Sequence, residues 1–196
     1  MSFEKIYKFY DLIYHDKDYE GEAKHVIKII NDINPGNTIL EYGSGTGNYS
    51  KFFLKQGFKL TGIELSEEMH NVAQKNGINS IHHNMIDFKS NKLYNNAVAL
   101  FHVFSYIKKN DEINLFFKNL SKNINKGGLF IFDAWYTPSV LKQKPSIRTK
   151  KYIDDEVLIK RTSFPENIIS ENIVKVKFEF NVQYLKKKHS EKVQET

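Results

Sequence analysis

The chain has 196 residues, no cysteine and a formal net charge of +6; 40% of it is hydrophobic and 14% aromatic, with charges spread along its length. That length and composition suit a folded domain with a substantial core and argue against disorder. Without cysteine there is no disulfide framework, thiolate chemistry or cysteine zinc site. No apolar run nears the ~18 residues of a membrane span, and the charge-studded N-terminus is no signal peptide, so a cytoplasmic protein without membrane contact is expected.

Residues 20–33 carry Val26, Ile27, Ile30 and Ile33 at helical spacing, and Asn34-Pro35-Gly36 then turns the chain. Thr38–Tyr42 reads as a short strand running into Gly43-Ser44-Gly45-Thr46-Gly47. A helix is predicted from about Asn48 to a stop near Gly57, and a strand over Phe58–Ile63. Ser66 is the predicted N-cap of a helix with Glu67 and Glu68 in its positive first turn. Ser80–His83 is a weak third strand and Asn96–Phe104 a buried fourth. Asn110 is the predicted cap of a helix with Ile113, Phe116, Phe117, Leu120 and Ile124 on one face, and Gly127-Gly128 leads into the strand Leu129–Phe132. Five strands alternating with helices predict an α/β fold with a doubly wound, mostly parallel sheet.

Beyond Pro138 the period changes. Asn172–Tyr184 alternates apolar with polar residues, Val157–Phe164 precedes it and a further strand is predicted near His189–Gln194. This predicts an antiparallel appendage over 141–196 on a main domain over 1–140. Lysine and arginine outnumber the acids 13 to 8 in the appendage, Lys186, Lys187 and Lys188 among them, while 1–140 is nearly neutral. Solvated lysines on exposed strand faces explain such an excess better than a nucleic-acid groove does.

The glycine turn carries the chemistry. Gly43-x-Gly45-x-Gly47 lets backbone approach a ligand, and Glu64, 21 residues after Gly43, ends the next strand where a carboxylate can accept from both hydroxyls of a ribose. A dinucleotide fingerprint needs glycine or alanine where Asn48 stands, and the phosphate-loop spacing with its lysine is absent. His82 and His83 face opposite sides of a strand with no carboxylate cluster beside them, so no metal is expected. His102 and Tyr106 sit where the fourth strand ends, the place for a ligand in an open α/β sheet. His102 reads equally as a general base or a packed histidine.

Glu41 with Gly43-x-Gly45-x-Gly47 resembles the first motif of class I S-adenosylmethionine-dependent methyltransferases, Gly62–Met69 their second, and Asn84-Met85-Ile86-Asp87-Phe88 the segment that flanks adenine, with Asn84 where an aspartate is usual. Asp87 reads as a helix or turn cap. Tyr10–Tyr14, Lys17-Asp18-Tyr19, Glu64-Leu65-Ser66 and Phe132–Pro138 are similar to N-methyltransferases of nucleotide-linked amino sugars. The resemblance implies a Rossmann-like fold and S-adenosylmethionine held by Tyr19, Glu41, Gly43, Ser44, Gly45, Glu64, Leu65, Met69, Asn84, Met85 and Leu100. It implies a small-molecule acceptor, the amine or hydroxyl of a nucleotide-linked sugar, with Tyr10 and Tyr106 at the positions that line the substrate pocket; Trp135 reads equally as pocket wall or core, and Tyr106 and His102 are the catalytic candidates. Two alternatives stay open: an RNA or DNA methyltransferase, disfavoured because Phe101-His102-Val103-Phe104 stands where Asn/Asp-Pro-Pro-Tyr is common, and a non-catalytic cofactor- or partner-binding protein. The family's sheet has seven strands, and residues 185–196 hold no pattern for the last two. A C-terminally truncated enzyme, or a partner chain such as a second copy covering the open sheet edge, is therefore expected.

Overall fold

Thr38–Tyr42 forms β1, whose four residues after Thr38 are all buried, and it becomes the middle strand of a parallel sheet. Its neighbours are β2 (Lys59–Glu64) on one side and β4 (Tyr94–Ala99) on the other, with β3 (Ser80–His82) and β5 (Ile124–Phe132) outermost. The order β3-β2-β1-β4-β5 reverses direction between β1 and β4, which opens a crevice outside their carboxyl ends. The computed structural model describes residues 6–135, 139, 142, 146–168, 173–186 and 189–195. It falls into two compact units, Lys17–Trp135 and Met1–Asp16 with Tyr136–Thr196.

In the first unit the helices form where their caps and periodicity dictate. Asp18 accepts from the Gly21 N–H and starts α2 (Tyr19–Ile33), following the short α1 (Tyr10–Ile13) of the other unit. Ser66 accepts from the Met69 N–H and starts α4 (Glu67–Lys75). The helix after the glycine turn, α3 (Ser50–Lys55), is shorter than predicted because Gly43–Gly47 and Asn48 remain a turn. Lys109, not Asn110, is the N-cap of α5 (Asn110–Asn123). Ile124, assigned to that helix by its spacing, is instead the first residue of β5, which takes in both glycines with Gly127 at φ +82°. The fourth strand also ends early, at Ala99, because Phe101 and His102 adopt φ near +63° and +62° and leave the sheet plane.

The core of this unit is aromatic. Tyr42, Phe88, Tyr94, Ala97, Ala99, Phe116 and Leu120 are buried together, and Phe116 lies 5.1 Å from the Tyr42 ring and 5.5 Å from that of Phe130, centroid to centroid. Asn123 satisfies the polar groups of this core: its amide donates to Tyr42 Oη and to the Phe88 carbonyl, and its oxygen accepts from the Ser90 N–H. Burial pushes the Tyr42 hydroxyl up to about 12.

The second unit is a four-stranded antiparallel sheet in the order β6 (Arg148–Ile153), β7 (Val157–Ile168), β8 (Ile173–Tyr184) and β9 (His189–Glu195). β6 went unpredicted because Arg-Thr-Lys-Lys-Tyr-Ile holds two apolar residues in six. Ile6, Phe9 and Ile13 pack with Tyr152, Val157, Ile159, Phe180 and Val182 on one face of this sheet. Among the described residues no strand pairs with the outer side of β5, and β6–β9 form a sheet of their own. No helix among the described residues is long and apolar enough to cross a membrane.

Phe116→Ala is expected to cost about 3–5 kcal/mol of stability, the range for emptying a buried aromatic site. Denaturant unfolding of the two proteins measures it.

Candidate functional site

The glycine turn is set by two conformations and one carboxylate. Gly43 (φ +66°) and Gly45 (φ +56°) occupy the left-handed region that favours glycine. A Cβ on Gly43 would press to 2.4 Å from the Val103 side chain, whereas a Cβ on Gly45 would meet nothing within 4 Å, so the turn is tight on one side and open on the other. The Gly43 and Ser44 N–H groups donate to the Ile63 carbonyl. The Gly45 N–H donates to Glu64 Oε2 at 2.8 Å, and the Ser66 N–H to Glu64 Oε1 at 2.8 Å. One carboxylate therefore ties the turn after β1 to the start of α4.

This geometry fits a nucleoside with a charged tail. Each Glu64 oxygen spends one lone pair on a backbone N–H and keeps capacity for a further donor, which suits the two hydroxyls of a ribose. Ser44 Oγ is buried against Gly62, without a hydrogen-bond partner among the described residues. Burial raises the Glu64 carboxyl above its ordinary range, and the N–H groups of Ser66, Gly45 and Leu65 oppose that shift. Glu41 is fully enclosed, accepts from Ser50 Oγ and is pushed up to about 8 by burial, with the charge of Glu64 adding to the effect.

The remaining cofactor candidates surround this turn unevenly. Tyr19 on α2 sets its ring 4.9 Å from Tyr49 and 6.4 Å from Phe101, and the Lys17 ammonium lies over all three rings at 4.4–5.7 Å. Tyr49 donates to Glu22, and burial with that carboxylate raises its hydroxyl strongly. Met69 and Leu100 are buried, Leu65 is exposed, and Met85 packs partly against the core. Asn84 Oδ1 accepts from the Ile86 N–H at 3.0 Å, so Asn84 holds the turn that the sequence assigned to Asp87. Asp87 instead lies 3.5 Å from His83 Nδ1.

At the ends of β4 and β5 stands a pair that the sequence did not reveal. Asp133, just after β5, accepts from the His102 N–H at 2.9 Å, and its second oxygen lies 3.0 Å from His102 Nδ1, off the line of a straight hydrogen bond. Burial pushes the Asp133 carboxyl up, but the contacts with His102 outweigh this and hold it below the usual range. The Trp135 ring meets the His102 imidazole edge-on at 6.2 Å, and Tyr106, exposed, closes the short 3-10 turn Val103–Tyr106. Only tertiary register brings Asp133 to His102, 31 residues earlier, so no local motif marked it. Tyr10 belongs to the antiparallel unit, its ring 4.8 Å from Tyr14, and Tyr136–Pro138 lie outside the described residues.

The family model described as a methyltransferase domain matches residues 14–165. The chain belongs to the methyltransferase domain family. An N,N-dimethyltransferase of dTDP-3-amino-3,4,6-trideoxy-α-D-glucopyranose from Streptomyces venezuelae is 28% identical to it over 134 residues, covering 66% of this chain and 56% of the relative. A dTDP-4-amino-2,3,4,6-tetradeoxy-D-glucose N,N-dimethyltransferase from Saccharopolyspora spinosa is 23% identical over 134 residues, 66% of this chain and 54% of its own. This methyltransferase domain thus spans a little over half the length of such curated relatives. Among solved structures, Streptomyces venezuelae DesVI superposes with a TM-score of 0.83 at 22% identity, covering 96% of this chain and 80% of the other. An amino pentose methyltransferase from Micromonospora echinaspora, solved with S-adenosylmethionine bound, gives 0.78 at 17%, covering 100% and 81%. These likenesses establish the Rossmann-like fold of the methyltransferase domain, with its antiparallel sheet.

Glu41 predicts a pH dependence. Its folded-state affinity for a proton exceeds that of the unfolded chain, so its contribution to stability is complete below about pH 4.5 and is lost as the pH rises to about 8. At about 1.4 kcal/mol for each tenfold change in proton affinity, the loss amounts to a few kcal/mol. In Glu41→Gln that loss is expected to vanish, so the stability of wild type relative to the variant should fall between those limits. Urea midpoints measured across the range check this.

Proposed function

We propose that this chain is the cofactor-binding part of an S-adenosylmethionine-dependent methyltransferase that acts on the amine of a nucleotide-linked amino sugar. The observation that carries the reading is the Glu64 carboxylate, fixed between the Ser66 N–H and the Gly45 N–H of a turn that is open at Gly45. Relatives that act on dTDP-linked amino sugars support the acceptor class.

S-adenosylmethionine, when bound, supplies an electrophilic methyl group on a sulfonium. Transfer to an amine is a direct displacement, so the protein's task is to orient, exclude water and remove a proton. Gly43, Ser44 and Gly45 would cradle the charged tail and Glu64 the ribose, while Tyr19, Leu65, Met69, Asn84, Met85 and Leu100 would enclose the rest. Glu41 stays neutral at physiological pH behind the turn. An amine attacks only when unprotonated, and His102 is the proposed acceptor of its proton. The Asp133 carboxylate 3.0 Å from Nδ1 favours the tautomer with its proton there, which leaves Nε2 with the lone pair needed to accept. Trp135 meets that imidazole edge-on and, with Tyr106 at the end of the same turn, would shape the acceptor pocket.

Glu64→Ala is expected to weaken S-adenosylmethionine binding by about 1–3 kcal/mol, the cost of leaving buried donors unpaired. Unchanged calorimetric affinity in a folded variant would sink the cofactor assignment. His102→Ala is expected to lower kcat for an amino-sugar acceptor about 100-fold near neutral pH, with the deficit shrinking at higher pH where the amine loses its own proton. A deficit that does not change with pH would remove His102 from proton transfer.

A further inference from the structure

The antiparallel unit holds a row of cations that the described residues leave largely unneutralised. Lys150 on β6 and Arg161 on β7 are register partners, so their side chains leave the same face directly opposite one another. Arg148, two residues before Lys150, shares that face and stands opposite Ser163. Like charges placed directly opposite on neighbouring strands oppose folding. Against the row the described residues set one carboxylate, Asp16, 3.9 Å from Lys150 Nζ with both side chains 59% exposed, and neither arginine makes an ion pair among them. The other face of the sheet handles its lysines differently, with Glu179 pairing Lys192 at 3.1 Å and Lys177 at 3.6 Å.

Arg161 is also held in place rather than left to wander. Its guanidinium lies 5.5 Å from the Tyr14 ring, 5.6 Å from that of Tyr152 and 5.5 Å from that of Phe178, and it donates to Tyr14 Oη at 3.2 Å. Three aromatic contacts confine the group while, among the described residues, only one of its five N–H donors is committed to a hydrogen bond. A fixed guanidinium with spare donors is the usual means of gripping an oxyanion through two parallel hydrogen bonds.

We propose that Arg148, Lys150 and Arg161 form an anion site that takes the diphosphate of a nucleoside-diphosphate-linked acceptor. The neighbours in the row are about 5–7 Å apart, the spacing of facing residues and of alternate residues on a strand. Such a row matches two adjacent phosphates and is too short to track a polynucleotide. The choice of ligand rests on the acceptor class proposed above; the site itself rests on the cation row and the caged guanidinium.

Calorimetric titration of the full chain with dTDP and with inorganic pyrophosphate tests the site, with S-adenosylmethionine titrated in parallel. Saturable dTDP binding is expected, displaced by pyrophosphate and weakened by added salt. Arg161→Gln should weaken it at least tenfold and Lys150→Gln several-fold, with S-adenosylmethionine affinity within twofold of wild type in both. Lys150 is exposed, so its variant keeps the test valid if loss of the Arg161 contacts disturbs folding. Wild type that binds S-adenosylmethionine but neither dTDP nor pyrophosphate overturns the anion site and leaves the methyltransferase reading intact. Binding of dTDP without S-adenosylmethionine does the reverse. Binding of dTDP that pyrophosphate cannot displace, or that both variants retain, or that a short single-stranded RNA of equal phosphate concentration outcompetes, also overturns the proposal.

Discussion

The Glu64 carboxylate is the constraint on which the cofactor side of this protein depends. It closes the end of β2, receives the N–H of Gly45 from the turn after β1 and receives the N–H of Ser66 at the start of α4. Two segments that follow different strands are thus pinned to one group at the strand ends. The arrangement costs the carboxyl part of its acidity through burial, and the backbone donors hold that cost in check. Gly62 is needed for the same reason, because a Cβ there would stand 2.5 Å from Ser44 Oγ and push the turn away. The glycines and the carboxylate act as one unit.

On the other side of β1 the logic is different. The sheet order reverses there, so the chain leaving β4 must turn sharply over the crevice, and it does so through two consecutive non-glycine residues at positive φ. Such a conformation is unfavourable for Phe101 and His102 and persists only where surrounding structure over-determines it. Asp133 supplies that restraint through the main chain, and the rings of Tyr19, His102 and Trp135 pack around the bend. The proposed proton acceptor is therefore placed by strain and register, while the cofactor turn is placed by glycine.

That contrast explains what could be read from the residues. The five parallel strands, the cap at Ser66 and the glycine turn with Glu64 are encoded by local pattern, and each emerged in the structure. The alternation of Val174, Val176, Phe178, Phe180 and Val182 likewise announced β8. Where the pattern failed, a longer-range effect won. Apolar continuity through Phe104 hid the break at Ala99 because positive φ in non-glycine residues leaves no compositional mark. Polar β6 escaped because it is an edge strand whose partner, not its own sequence, supplies the ladder. The place of Ile6, Phe9 and Ile13 on the antiparallel sheet could not be inferred, since a short apolar spacing says nothing about which surface it will cover. Asp133 was invisible for the same reason, being close to His102 only once β4 and β5 are side by side.

Asp133 grips the amide of residue 102 with one oxygen and leaves only the other for the side chain. That main-chain bond is made whichever side chain stands at 102. A lineage could exchange imidazole for amide, hydroxyl or hydrogen at this position and keep the same mount. Selection could thus retune the polarity of the crevice one point substitution at a time without first solving a new loop.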